Sequence, residues 1–118
     1  MASYGTAQAT IANAASLSGA VPIVGEVVAI DLPTLTTDSS SITFQGSFDG
    51  DTFRELQEVD GTAYTVTTAA TGATLALLSS AATNPPIRVP WLKVRTGTSG
   101  AAVNQGSART ITLIIKKD

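Results

Sequence analysis

The sequence has 118 residues, the length of a single domain, with a formal net charge of −2 and only 14% charged residues. A typical soluble domain carries about 25% charged residues, and here Thr, Ser, Ala and Gly replace them, which suits a surface that packs closely against other subunits. The seven Lys and Arg residues are scattered and form no cationic cluster that could displace counterions from phosphates, so we expect no nucleic-acid partner.

The first twenty residues are rich in Ala, Ser, Thr and Gly and contain few apolar side chains, among them Ile11 and Leu17. They fit an extra edge strand, an arm that lies on a neighbour, or a partly disordered tail. They lack the basic and apolar regions of a signal peptide, and no apolar run approaches the roughly 20 residues of a membrane helix, so we expect no membrane partner. We therefore predict an N-terminal arm or edge strand at 1–20 and a β-sandwich domain at 21–118.

From residue 23 onward, apolar and polar residues alternate with a period of two, which predicts half-buried strands rather than helices. The polar positions are rich in Thr, whose branched side chain fits a pleated sheet and loses rotamer freedom in a helix. The apolar sets that share a parity are Val24, Val28, Ile30 and Leu32, with Glu26 interrupting; Ile42, Phe44, Gly46 and Phe48; Tyr64 and Val66; and Ile111, Leu113 and Ile115. We expect each set to lie on one face of its strand.

Turn-forming residues separate the predicted strands. The Asp-Gly-Asp run at 49–51 and the Asp-Gly pair at 60–61 each predict a tight hairpin. The Asn-Pro-Pro run at 84–86 predicts a loop, because two successive prolines cannot sit inside a hydrogen-bonded ladder. A long polar loop is expected at 97–106, and residues 79–83 fit one short helical turn.

A change of phase near Pro90 bears on how the strands meet the core. Ile87 and Val89 have the opposite parity to Leu92 and Val94. Either a bulge or kink at Pro90 returns both pairs to one core, or Leu92 and Val94 face a second layer. With seven or eight short strands and no crossover helices, the sequence predicts an all-β antiparallel β-sandwich, of immunoglobulin-like or jelly-roll topology.

The residue types needed for common enzyme chemistry are missing. The chain has no His and no Cys, which excludes a Ser-His-Asp triad, thiolate nucleophiles and the usual zinc ligands. Asp49 and Asp51 suggest a calcium loop, but the twelfth position is Asp60 rather than Glu, and the intervening residues read as a strand. Glu55, Glu58 and Asp60 lack the aromatic sugar platforms of a glycosidase cleft. We expect no enzyme activity, no metal and no cofactor.

Aromatic and cationic side chains are the remaining candidates for recognition. Trp91 is either a platform for a sugar or interface, or a core residue, and a lone Trp in a sandwich favours the core. Tyr4 and Tyr64 would join Trp91 in a carbohydrate-binding surface. Arg54 and Arg95, with outward parity, either pair with acidic groups on a neighbouring subunit or lie on solvated faces.

Segments in the second half of the chain resemble a known group of proteins. They are the run Ile42–Gly50, then Phe53 and Leu56, and later Trp91–Thr98, Val103–Gln105 and Arg109–Leu113. In this order and spacing, over about residues 41–115, they resemble small virion proteins of tailed bacteriophages. The resemblance implies a β-sandwich structural component of the particle, and within that group a capsid decoration, or cement, protein.

Proteins of that type bind the outside of the expanded head, often as trimers, and brace it against internal DNA pressure. The resemblance therefore implies that the partners are the major capsid protein and other copies of this chain, as a homotrimer, on the outer capsid surface of a virion assembled in the host cytoplasm. We expect the contacts to involve Tyr4, Ile11, Leu17, Arg54 and Arg95. A tail, fibre or connector component and a carbohydrate-binding module are the alternatives.

Overall fold

The computed structural model describes residues 3–36, 39–68, 72–78 and 84–117. This part of the chain contains nine β-strands and no helix. The strands are β1 (Tyr4–Ile11), β2 (Val21–Pro22), β3 (Glu26–Leu32), β4 (Ser41–Ser47), β5 (Arg54–Glu55), β6 (Val66–Thr67), β7 (Thr74–Leu77), β8 (Trp91–Thr96) and β9 (Arg109–Lys116). The all-β class is confirmed. The structure has more strands than the seven or eight predicted, since three of them, β2, β5 and β6, are pairs of residues too short to recognise from an alternating pattern.

The strands form two antiparallel sheets, which confirms the predicted sandwich. Sheet A has the order β1-β9-β3-β7, and sheet B has the order β2-β8-β4-β5, with β6 also pairing with β4. Residues 4–11 thus form a strand at the edge of sheet A, paired with β9 along their whole length. The predicted helical turn at 79–83 lies outside the described residues.

The core lies between the two sheets and consists of the inward-facing members of each alternating pattern. Fully buried side chains come from both sheets, among them Ile11, Ile30, Leu32, Ile111 and Leu113 from sheet A, and Ile42, Phe44, Leu92 and Val94 from sheet B. The rings of Phe44 and Tyr64 meet edge to face, with centroids 5.5 Å apart. Burying such side chains stabilises the fold by about 1.5–3 kcal/mol each.

A β-bulge in β3 changes which residues face the core. The pairing of β3 with β9 shifts between Val27 and Ala29, so that Val28 is the extra residue. Val27 is fully buried, whereas Val28 is half-buried on the outer face and Val24 is 76% exposed. The prediction that Val24 and Val28 share a face with Ile30 is therefore wrong: the bulge turns Val28 away from the core, and Val24 precedes the strand.

The phase change at Pro90 marks a crossing between the sheets. Ile87 exchanges two backbone hydrogen bonds with Val27 of sheet A, at 2.8 and 3.0 Å. The chain then crosses, and β8 begins at Trp91 in sheet B. Ile87, Leu92 and Val94 consequently reach the same core, with exposed fractions of 3%, 0% and 0%. The first of the two alternatives, a kink that returns both pairs to one core, is confirmed.

Both predicted hairpins are present, but the aromatic residues beside the first one differ from expectation. β4 and β5 pair around the turn at 49–51, and the turn at 60–61 is closed by a bridge between Gln57 and Ala63. β4 ends at Ser47, so Phe48 leaves the alternating face and is 82% exposed. Trp91 is half-buried on the outer face of sheet B rather than in the core, because its neighbour Leu92 takes the inward position.

Candidate interaction surfaces

The five residues predicted to contact a neighbour lie in different environments. Tyr4 is 63% exposed on the outer face of sheet A, and Arg54 is exposed at the edge of sheet B. Ile11 is fully buried in the core, Arg95 is 6% exposed, and Leu17 is half-buried and bridged to Arg95 through the backbone. Only Tyr4 and Arg54 present their side chains to solvent, and the structure does not bring those two together.

The outer face of sheet A carries apolar side chains where an antiparallel sheet exposed to water normally carries polar ones. The strand register places Ile114, Ala29 and Leu77 side by side on β9, β3 and β7. The next outward row along β3 and β7 contains Asp31 and Leu75. We use the term apolar face for Tyr4, Val28, Ala29, Leu75, Leu77 and Ile114, which line a shallow depression of about 600 Å³ together with Asp31.

Three side chains of the apolar face are largely exposed to solvent. Leu75 is 59% exposed, Leu77 is 69% exposed and Tyr4 is 63% exposed. Fully burying one leucine side chain contributes about 1.5–3 kcal/mol, so covering this face would recover a substantial part of that value for each residue. Contiguous exposed apolar surface of this kind marks interaction sites, whereas isolated exposed residues are common on any protein.

The sequence of β7 explains how these leucines come to face outward. Leu75 and Leu77 alternate with the smaller Ala76, which is half-buried against the core. Leu78 follows, fully buried, and its N–H donates to the Val28 carbonyl at 2.9 Å. The two large residues of the strand therefore lie outside and the small one inside. Sequence reasoning missed this surface, since the alternation is visible but does not reveal which side faces the core.

Charged side chains lie at opposite ends of the apolar face. Asp31 lies at one end, in the register row of Thr112 and Leu75. At the other end, Glu26 pairs in register with Lys116, and its carboxylate accepts a hydrogen bond from Arg88 at 3.1 Å. The Arg88 side chain is 77% exposed, so this ion pair is a surface contact. The apolar face thus has an acidic end and an end with an excess of positive charge.

Polar side chains around Arg95 form a hydrogen-bonded network on the outer face of sheet B. The Arg95 guanidinium donates to both carboxylate oxygens of Glu55, one of them at 2.9 Å, and to the Thr43 hydroxyl at 3.0 Å. Gln45 donates to the same carboxylate at 2.8 Å, and Thr43 donates to the Gly97 carbonyl at 2.7 Å. The Arg95 hydrogen bonds hold the pKa of Glu55 below its usual value. Arg95 is therefore engaged within its own chain.

In the acidic turn at 49–51, the Asp49 carboxylate accepts hydrogen bonds from the turn itself. One Asp49 oxygen accepts hydrogen bonds from the Ser47 hydroxyl at 2.8 Å and from the N–H groups of Asp51 and Thr52, both at 2.9 Å. The Thr52 and Asp51 amides, followed by the Ser47 hydroxyl, lower the pKa of Asp49 to about 2. Across residues 3–36, 39–68, 72–78 and 84–117, no three acidic side chains cluster as metal ligands.

Arg54 lies at the rim of a second opening, at one end of the sandwich. This cleft has a volume of about 390 Å³ and is lined by Phe48, Leu56 and Val89 together with the turn that holds Asp49. Leu56 and Val89 pack against the core below it, and Phe48 projects into solvent. The lining of the cleft is mixed, because it includes the charged side chains of Asp49, Arg54 and Glu55 as well as the apolar ones.

The three aromatic residues of the predicted carbohydrate surface lie apart. Tyr64 is 3% exposed, and its hydroxyl donates to the Pro85 carbonyl. Burial raises the pKa of this hydroxyl. Trp91 packs over the turn on the side of sheet B, where a Cβ on Gly50 would lie 2.9 Å from its ring, whereas Tyr4 belongs to sheet A. No shared platform forms from these residues.

The described part of the chain thus defines an antiparallel β-sandwich with one self-satisfied polar face and one exposed apolar face. No protein-family model matches the sequence, and a search of curated proteins finds no match to it. In the segments that the structure describes, no helix is long and apolar enough to cross a membrane.

Proposed function

We propose that this chain is a structural protein of a tailed-phage particle, a capsid decoration protein that binds major capsid protein subunits and stabilises the head. The observation that carries the proposal is the apolar face of sheet A, with Leu75, Leu77 and Tyr4 largely exposed. The segments that resemble phage virion proteins supply the class of particle. The apolar face supplies a physical means of attachment.

The architecture suits a protein that acts through its surface. A closed sandwich keeps the apolar face in a fixed shape, so little conformational entropy is lost when a partner covers it. Only 14% of the residues are charged, which limits repulsion between many copies placed close together. Each copy makes a modest contact, and avidity over repeated copies makes the shell harder to open.

The partner surface follows from the chemistry of the apolar face. Its leucines fit an apolar surface formed by capsid subunits in the expanded head, where release of water drives association. Asp31 at one end and Lys116 at the other fix the orientation through charge pairs with the capsid. Binding then links neighbouring capsid subunits, and the linked shell resists pressure from inside.

The test is to mix the purified chain with expanded heads that lack it and to measure the bound copies and the temperature of DNA release. We expect saturable binding and a higher release temperature. The double variant Leu75→Ser/Leu77→Ser should bind at least about tenfold more weakly, because two apolar contacts are lost. Val59→Ser is the matched control, since Val59 is fully exposed but isolated from the apolar face.

The control should bind as the unaltered chain does. Absence of binding to heads, or binding that leaves the release temperature unchanged, would rule out the decoration role. Binding to purified tails but not to heads would favour the tail or connector alternative. Equal binding by Leu75→Ser/Leu77→Ser and the unaltered chain would show that another surface makes the contact.

A further inference from the structure

Among the residues that the structure describes, no strand pairs with one side of the β1 backbone. It lies at the edge of sheet A and pairs with β9 on one side over eight residues. Its sequence, YGTAQATI, contains no charged residue and no proline. Natural proteins usually protect an exposed edge with Lys, Pro, a bulge or a covering segment, because an open edge is a template for another strand. None of the eight residues of β1 supplies a protecting side chain of its own, and the Lys117 side chain lies over Gly5 at one end of the strand.

The hydrogen-bonding pattern shows which backbone groups of β1 face the open side. The Lys117 N–H donates to the Ser3 carbonyl at 3.0 Å, which identifies the row of Ser3 as a hydrogen-bonded pair. Pairs alternate along an antiparallel ladder, so the odd residues of β1 bond to β9 and the even residues point their N–H and C=O groups outward. The even residues are Tyr4, Thr6, Gln8 and Thr10. Within the described segments, these outward groups have no backbone partner.

We infer that β1 pairs antiparallel with β1 of a second copy of this chain, about a two-fold axis that passes through Ala7. In this register, Thr6 of one copy lies opposite Gln8 of the other, and Tyr4 lies opposite Thr10. Every outward N–H group of one strand then meets an outward carbonyl of the other. The two Ala7 residues face each other at the axis, where a small side chain permits close approach.

Self-pairing in this register satisfies the whole edge. The symmetric register brings the even residues of one copy opposite the even residues of the other and leaves no outward group of Tyr4–Thr10 unpaired. Because β1 carries no charge, none of the opposed pairs places like charges together. The even side chains are all exposed, so pairing requires no rearrangement of the core.

The pair would join the two copies of sheet A into one continuous sheet. A two-fold axis perpendicular to that sheet keeps both apolar faces on the same side. Five strand spacings separate the two β3 strands, a distance of about 24 Å. If the proposed function holds, the pair is a bivalent capsid binder, whereas the resemblance to decoration proteins implies a trimer.

The test measures the mass of the full-length chain by sedimentation equilibrium, without heads. We expect the mass of two chains, with reversible dissociation on dilution. Thr6→Pro removes an outward N–H without removing a bond to β9, and edge strands tolerate proline at such positions. It should therefore yield the mass of one chain. Thr6→Val, which retains the N–H, is the matched control and should remain paired.

A charge exchange tests the register itself. Thr6→Lys/Gln8→Lys places lysines opposite each other across the axis, whereas Thr6→Lys/Gln8→Glu places opposite charges there. We expect the dissociation constant of the first variant to be about tenfold above that of the second, because the charge pair is repeated by symmetry. This comparison decides the register even if the proline variant fails to fold, since both variants retain every backbone N–H.

A single-chain mass for the unaltered protein up to about 1 mM would overturn the inference, as would the mass of three chains. Equal dissociation constants for the two charge variants would overturn the register. Because no heads are present, a pair that fails to bind heads would contradict the proposed function and leave the pairing intact. A protein that stays a single chain and binds heads would contradict the pairing and leave the proposed function intact.

Discussion

On the outer face of sheet B, polar side chains bond to one another, whereas the outer face of sheet A exposes the large apolar side chains of Tyr4, Leu75 and Leu77. Arg95, at 6% exposure, is fully engaged by Glu55 and Thr43. Leu77, at 69% exposure, lies in the open row beside Ala29 and Ile114. Both faces arise from the same alternation of side chains along the strands, so alternation alone does not decide whether the outward side chains find partners within the chain. The partners on adjacent strands decide it.

The two outer faces differ in how much each would gain from covering by another molecule. A network in which donors and acceptors are already satisfied gains little from a partner, because new hydrogen bonds must replace existing ones. An exposed apolar face gains from any partner that excludes water from it. The contrast therefore assigns a structural role to the Arg95 network, and the proposed function uses the apolar face as its contact surface.

The change in stability should be largest between Leu77, on the outer side of β7, and Leu78, the buried residue that follows the strand. Leu78→Ala should lower the free energy of unfolding by about 3 kcal/mol, because Leu78 is fully buried and its loss leaves a cavity. Leu77→Ala should change it by less than about 1 kcal/mol, since that side chain is mostly in water. Urea unfolding of both variants measures the difference. Similar losses would mean that Leu77 is covered in the folded chain.

A smaller difference in stability is expected between loss of the Arg95–Glu55 ion pair and loss of the Arg88–Glu26 ion pair. Arg95→Ala should lower the free energy of unfolding by about 2 kcal/mol, because it leaves Glu55 and Thr43 without their charged donor. Arg88→Ala, the matched control, should cost about 0.5 kcal/mol, since its pair with Glu26 is exposed. Urea unfolding at pH 7 checks both values. An Arg95→Ala variant as stable as Arg88→Ala would remove the assigned structural role.

A third effect concerns the acid sensitivity of sheet B. The folded pKa of Glu55 lies below its ordinary value of 4.5 because Arg95 bonds to it. Its contribution to stability is therefore present above about pH 4.5 and is lost as the pH falls through the folded pKa. Glu55→Gln should flatten the stability profile in that window relative to the unaltered chain. Thermal unfolding between pH 3 and 7 would detect it, and an unchanged profile would contradict it.

The smallest effect lies at the turn beside sheet B. Asp49 should titrate in the folded chain with a pKa of about 2, below the ordinary 3.8, because two backbone amides and the Ser47 hydroxyl bond to it. The stabilisation it provides is present above pH 3.8 and disappears toward pH 2. Carboxyl NMR titration measures the midpoint directly. A midpoint at the ordinary 3.8 would show that the turn does not hold Asp49 as described.

Much of the sandwich could be predicted from residue pattern. The alternation in β4 and β9 and the two Asp-Gly turns were sufficient to place strands and hairpins, because each is a local preference of a few residues. The bulge at Val28 could not be predicted, since an inserted residue leaves no compositional signal. The burial of Arg95 was also missed, because Glu55 comes from a different strand and only the fold brings the two together.

Residue pattern and composition are enough to specify short antiparallel strands without the residues for common catalysis, because strand formation and residue chemistry are properties of local segments. Which alternating set faces the core is set by the packing of the two sheets. In the part of the chain that the structure describes, this packing places Ile11 inside, turns Leu75 and Leu77 outward and leaves one side of β1 without a strand partner. The physical reason is that a strand has two equivalent sides, and the choice between them depends on the strands and the second sheet that pack against it.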